Sequence, residues 1–143
     1  MREMRHLLLS LIKVAGIALV YGTLGYMLCR NVTECVPEAL MRRVNDSLEV
    51  WRLFDRYYEI FLPATTGLTA FFAGRSYRPF FQVGGVAAGT IAALIFRLWE
   101  RVQWTRPASM EYTFFEAAFL GAMFALLGSA SGRSQDKNRV AVA

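Results

Sequence analysis

The chain has 143 residues, 55% of them apolar, a mean hydropathy of +0.33 and a net charge of +5. It is too apolar for an ordinary soluble domain and too short for two, which points to a single all-α polytopic membrane domain. Fourteen of the sixteen cations are Arg, and they flank apolar segments instead of forming one polar patch; this pattern suits interfacial anchoring and phospholipid contact and argues against nucleic acid as a partner.

The first hydrophobic segment covers about residues 7–28, LLLSLIKVAGIALVYGTLGYML, after a basic lead, MREMRH. It is long enough to cross a hydrocarbon core of about 30 Å. No small-x-small cleavage site follows it, so the reading is a retained span and not a secretory leader. Lys13 lies about six residues inside, where its ammonium can snorkel to the surface.

A polar stretch comes next, and its second half has helical periodicity over about residues 37–56. Leu40, Val44, Leu48, Trp51 and Phe54 recur at three and four, with Arg42, Arg43, Asp46, Glu49, Arg52 and Asp55 on the other side. Pro37 suits the first turn of such a helix. The expectation is one amphipathic helix near the interface, running into span two.

Span two is predicted at about 58–74 and span three at about 79–99, joined only by RSYR, which forces an antiparallel hairpin. Span four follows at about 112–130, after a longer connection holding Trp104 and Pro107. Trp99, Trp104 and Tyr112 suit a headgroup-level belt. The domain is expected over 1–132, with 133–143 a polar, mobile tail. Four spans place both termini on one side, and the cations divide almost evenly between the two sides, so charge does not orient the bundle.

Span three, FFQVGGVAAGTIAALIF at its core, is rich in small residues. Lipid tails are as apolar as Leu, so helices in a membrane gain most from close backbone approach, which only small residues permit. Gly85, Gly89 and Ala93 recur every four residues, with Gly84 and Ala88 (and Ala92) beside them. Span four carries Ala117, Gly121 and Ala125, span two Ala70 and Gly74, and span one Gly16, Gly22 and Gly25. These are the predicted helix-packing residues, against helices of this chain or of another.

Glu59 and Glu116 stand near span ends, level with Arg30, Arg56 and Arg97, and predict interfacial ion pairs. Lys13 falls near the opposite side and is too far from Glu116 to pair with it. Thr65, Thr66, Thr69 and Thr90 are the polar groups nearest the centre and are expected to bond along their own helices or to a neighbouring helix. Two cysteines, Cys29 and Cys35, and one histidine, His6, do not make a zinc site. The cysteines are either a disulfide in an oxidising compartment or two thiols. Asn31-Val32-Thr33 and Asn45-Asp46-Ser47 match the glycosylation pattern. No catalytic, phosphate-binding or metal motif is readable, so no enzyme activity and no cofactor is expected.

The segments RYYEIFLPATTGLTAFFAG (56–74), PFFQVGGVAAGTIAALIFR (79–97) and FFEAAFLGAMFALLGSASGR (114–133) resemble the last three spans of a mitochondrial inner-membrane family related to translocase channel subunits. Within it, Gly84-Gly85-Val86-Ala87-Ala88-Gly89 with Arg97 beyond is most similar to the translocase-like accessory subunits of respiratory complex I. That resemblance implies a non-catalytic subunit bracing a membrane arm, partnered by other integral membrane subunits. It also implies phospholipid such as cardiolipin against Arg75, Arg78, Arg97 or Arg101, no redox cofactor, termini in the intermembrane space and reduced cysteines on the matrix side. The alternatives are a translocase-like import or assembly factor, or a small glycosylated four-span protein of the secretory or plasma membrane.

Overall fold

A computed structural model describes residues 2–42, 47–77, 82–103 and 110–142. Among the described residues the chain is all-helical. The helices are α1 (Arg2–Met41), α2 (Ser47–Ser76), α3 (Gln82–Gln103) and α4 (Met110–Val142). Three of them contain stretches long and apolar enough to cross a membrane: Glu3–Cys35 in α1, Val83–Val102 in α3 and Thr113–Gly132 in α4.

The packing register is up-down-up-down. Val14 of α1 clusters with Ala88 of α3, and Ala18 with Ala92, so α1 and α3 run parallel. Gly74 of α2 faces Gly85 of α3 and Ala70 faces Gly89, so α2 and α3 run antiparallel. Gly121 of α4 faces Ala93, and Ala125 faces Gly89, which makes α4 antiparallel to α3 and parallel to α2. Helices α2 and α3 form the middle of the bundle. Each touches both α1 and α4, whereas α1 and α4 do not touch each other among the described residues. The outer helices therefore sit on opposite sides of a central pair.

Both ends of α1 outrun the first predicted span. No glycine lies between Gly25 and Met41, and the helix continues through Asn31, Cys35 and position 37. Pro37 therefore stands in the last turns of α1, not at the start of a new helix. Among the described residues no separate helix covers 37–56. Its beginning is the end of α1, its end is the beginning of α2, and residues 43–46 lie outside the described set. The expected apolar face also differs. Leu48 is exposed and Val50 is fully buried. Val44 and the side chains of Leu40, Trp51 and Phe54 fall outside the described residues. The expected run into span two is present, since α2 is unbroken from Ser47 to Ser76 despite Pro63 inside it.

The tail differs as well. Helix α4 continues to Val142, because nothing after Gly132 breaks it: the stretch contains no proline and no further glycine. Trp99 packs against Tyr26 with ring centroids 6.0 Å apart and is half exposed. Trp104, Pro107 and the side chain of Tyr112 lie outside the described residues.

Candidate functional site: a charge centre inside one end of the bundle

The middle of the bundle explains where the charges go. Ala70, Ala93 and Ala125, one from each of α2, α3 and α4, form a fully buried cluster. A Cβ on Gly89 would overlap the Ala125 side chain and lie 2.5 Å from the Ala70 carbonyl oxygen. One on Gly74 would lie 2.5 Å from the Ala125 carbonyl oxygen, and one on Gly85 3.0 Å from Ser129 Oγ. Gly121 meets Ala93 at 3.0 Å. The small-residue faces predicted in the sequence are thus turned on one another. Gly84 is covered by the ring of Tyr77, Ala88 packs with Val14 and Tyr77, and Ala117 is fully buried. Gly22 and Gly25 of α1 lie against Ile95 and Thr69. Among the described residues, α2, α3 and α4 thus meet backbone to backbone here.

The central threonines close the same region chemically. Thr65 donates to the Phe61 carbonyl at 2.8 Å, Thr66 to Leu62 at 2.7 Å and Thr90 to Val86 at 2.8 Å, each one turn back on its own helix. These three hydroxyls bond within their own helices as expected, whereas Thr69, the fourth, lies against Gly25 of α1.

At one end of this interior sits a group of ionisable side chains supplied by all four helices. Arg97 of α3 is buried and donates from Nη2 to Glu116 Oε2 of α4 at 2.9 Å. One turn on, buried Glu100 accepts a hydrogen bond from Tyr58 of α2. Arg101 donates to Thr113 Oγ1 of α4 at 2.8 Å. From α1, buried Cys29 packs with Tyr58, Leu62 and Phe96, the last fully buried and flooring the centre. Thr33 caps this side by donating to the Cys29 carbonyl. Nε and Nη1 of Arg97 are buried without a hydrogen-bond partner among the described residues. A buried guanidinium is tolerable only where acceptors neutralise it, and here Glu116 and the neighbouring Glu100 provide the charge.

The predicted ion pairs are therefore met in part. Glu116 does pair, with Arg97, but inside the bundle and not at its surface. Arg30 pairs with Glu34 at 2.8 Å, its i+4 neighbour on exposed α1. Glu59 and Arg56 are exposed and form no ion pair among the described residues. Of the arginines implied to hold lipid headgroups, Arg97 is corrected outright, because a side chain turned inward onto Glu116 does not reach a headgroup. Arg101 is half-buried on Thr113, Arg75 is half-buried beside Gly132, and Arg78 lies outside the described residues. Sequence reasoning missed Tyr58 and Glu100. The available signal was the Arg97–Glu100 spacing, one helical turn apart on the face that also carries Ala93.

Cys29 and Cys35 are both free, one buried and one exposed, and they stand six residues apart on one continuous helix. They point to different faces and do not bond. Asn31 is exposed on α1, but the Thr33 hydroxyl of its acceptor triplet is buried on Cys29; Asn45 lies outside the described residues. Among the described residues no cluster of His, Cys, Asp or Glu could hold a metal ion.

Set beside known proteins, the chain matches no family model, and no curated protein and no solved structure is significantly similar to it.

Proposed function

We propose that this chain is a non-catalytic structural subunit of a larger membrane assembly, with four spans, in the mitochondrial inner membrane and attached to a respiratory complex. The observation that carries the structural reading is the closed interior. Gly74, Gly85, Gly89 and Gly121 bring α2, α3 and α4 into backbone contact, and the charges are gathered off-centre over an apolar floor of Phe96 and Leu62. Such an interior offers rigidity and not passage. Its exterior offers what a bracing subunit needs, since large apolar side chains cover the outer faces of α1 and α4, among them Leu19, Leu24, Phe115 and Phe119.

The small-residue faces hold the bundle itself together, so contact with neighbours falls to these outer faces. Helix α2 supplies the fourth span. Its residues 58–77 lie level with α3 from Glu100 back to Gly84, so it shares the depth of helices apolar enough to cross. The mitochondrial and respiratory assignment rests on the resemblance around Gly84–Gly89 and Arg97.

Native-gel separation of the source membranes, followed by mass spectrometry of the bands, tests this reading. The expected result is co-migration with a respiratory complex. Migration as a lone 16.1 kDa chain in mild detergent, or a mobility shift on glycosidase treatment, overturns it.

A further inference from the structure

Nine of the eleven glycines have an explanation inside the chain: a Cβ on any of them would come within about 3 Å of another helix or of Tyr77. Gly132 sits at ordinary contact distance from Arg75. Gly16 alone has nothing within 4 Å. It lies on α1 opposite buried Val14 and Ala18, on the outward face with Leu9, Ile12 and Val20.

Lys13, one turn before Gly16, is exposed on the same side and has no partner among the described residues. Counted from Leu7, where the apolar run of α1 begins, Lys13 lies about 9 Å and Gly16 about 14 Å inside the span at 1.5 Å per residue, and Val14 beside Lys13 packs with Ala88 of α3. Of the three most apolar windows, that of α1 is also the least buried, at 17% against 44% for α3 and 33% for α4.

Resting on the subunit reading above, we propose that this face of α1 docks a transmembrane helix of another subunit, and that this helix carries a carboxylate level with Lys13. The hollow at Gly16 is deeper than headgroups reach, so a crossing segment fills it. Acyl chains pack as well on Leu as on Gly and do not call for the hollow, whereas a helix backbone does. An ammonium here either lies back along α1 toward the headgroups or meets a counter-charge, and a carboxylate on the docked helix lets Lys13 point straight outward. Lys13 and Gly16 then act together, the glycine setting the approach and the cation setting register and partner choice.

The test uses the full chain in its native membrane, with Lys13→Glu, Lys13→Arg and Gly16→Leu, and a benzophenone residue at Ile12 for photo-crosslinking. Because neither Lys13 nor Gly16 touches the rest of the bundle, each purified variant keeps wild-type resistance to denaturant. Wild type and Lys13→Arg assemble, whereas Lys13→Glu and Gly16→Leu reduce the assembled fraction at least about tenfold, a loss of about 1.4 kcal/mol. The crosslinked peptide, once sequenced, is an apolar segment containing Asp or Glu. Adducts to lipid alone, a crosslinked helix without a carboxylate, or unchanged assembly of both Lys13→Glu and Gly16→Leu overturn the docking site and leave the subunit reading standing. A wild-type chain that migrates alone overturns both.

Discussion

Replacing Gly89 with alanine adds one methyl group at the most crowded point of the bundle. That methyl overlaps the Ala125 side chain, lies 2.5 Å from the Ala70 carbonyl oxygen and 3.3 Å from Ala125 Cα. Ordinary contact needs about 3.4 Å or more, and none of these neighbours is the end of a flexible side chain. The methyl is accommodated only if α3 moves away from α2 and α4 by about 1 Å. A gap of that size forfeits up to half the dispersion well of each contact along the shared faces, and overpacking of this kind typically costs about 1–3 kcal/mol. With three helices meeting at Gly89 the upper part of that range applies, about 2–3 kcal/mol, or roughly 30- to 150-fold in the unfolding constant. The assay is reversible unfolding in mixed micelles, read by helix content and by Trp fluorescence, with Gly16→Ala as the control because its methyl meets nothing. If Gly89→Ala unfolds within about 0.5 kcal/mol of Gly16→Ala, surface-like behaviour by the usual measure, the close backbone contact on which the fold argument stands is wrong.

Four further outcomes are checkable in the same system. Arg97→Met strands Glu116 in a largely buried setting and is expected to cost about 3 kcal/mol, with most of it recovered when Glu116→Leu is added, since two apolar groups replace a pair without leaving a lone charge; a double variant no better than the single one refutes the pairing. Tyr58→Phe removes the hydrogen bond to buried Glu100 and is expected to cost about 2 kcal/mol, measured by the same unfolding curve. Arg30→Ala, which breaks an exposed pair with Glu34, is expected to leave the unfolding curve unchanged. A membrane-impermeant maleimide is expected to modify Cys35 in intact protein and Cys29 only after denaturation, and an oxidant to leave both as thiols within the chain; protection of Cys35 or a Cys29–Cys35 bond counts against the continuous α1.

Apolar length was enough to find a long helix at each predicted span, whereas helical periodicity over 37–56 pointed to a separate helix that is not seen among the described residues; small-residue spacing was enough to pick the residues at the contacts. Gly85, Gly89, Ala93, Gly121 and Ala125 do meet other helices, because a residue that permits close approach is informative only about contact, and contact is what the bundle has. The direction of the charges was less legible. Arg97 and Glu116 are near the ends of their spans, and position along the sequence fixes depth but not azimuth. Arg97 lies four residues beyond Ala93 and so shares its inward face, which turns it to the interior instead of the headgroups. The stretch around Pro37 misled for a different reason. Proline at a predicted first turn is a common start signal, yet Asn31 to Val36 contains nothing that stops a helix already propagating from α1, and elongation costs less than a new nucleus.

Helix α2 joins these points into one argument. It lacks the continuous apolar stretch found in α1, α3 and α4. Its buried side carries Thr65, Thr66, Thr69, Ala70, Ala73 and Gly74, whereas Ile60, Leu68 and Phe72 point out. A hydropathy average weighs both sides alike, although only the outer side is free of the other helices. The inner side sees α1, α3 and α4, where short side chains are favoured and a threonine hydroxyl is satisfied by the carbonyl one turn back. A central helix in a small membrane bundle is therefore expected to be less apolar than its neighbours, and the more helices it touches the lower its average falls. Helix α3, also central, shows the same tendency, with Gly, Ala and a buried arginine where α1 has leucine. On this account the two helices at the middle specify the fold through small and polar contacts. The two outer helices, α1 above all, keep the leucine-rich outer surface.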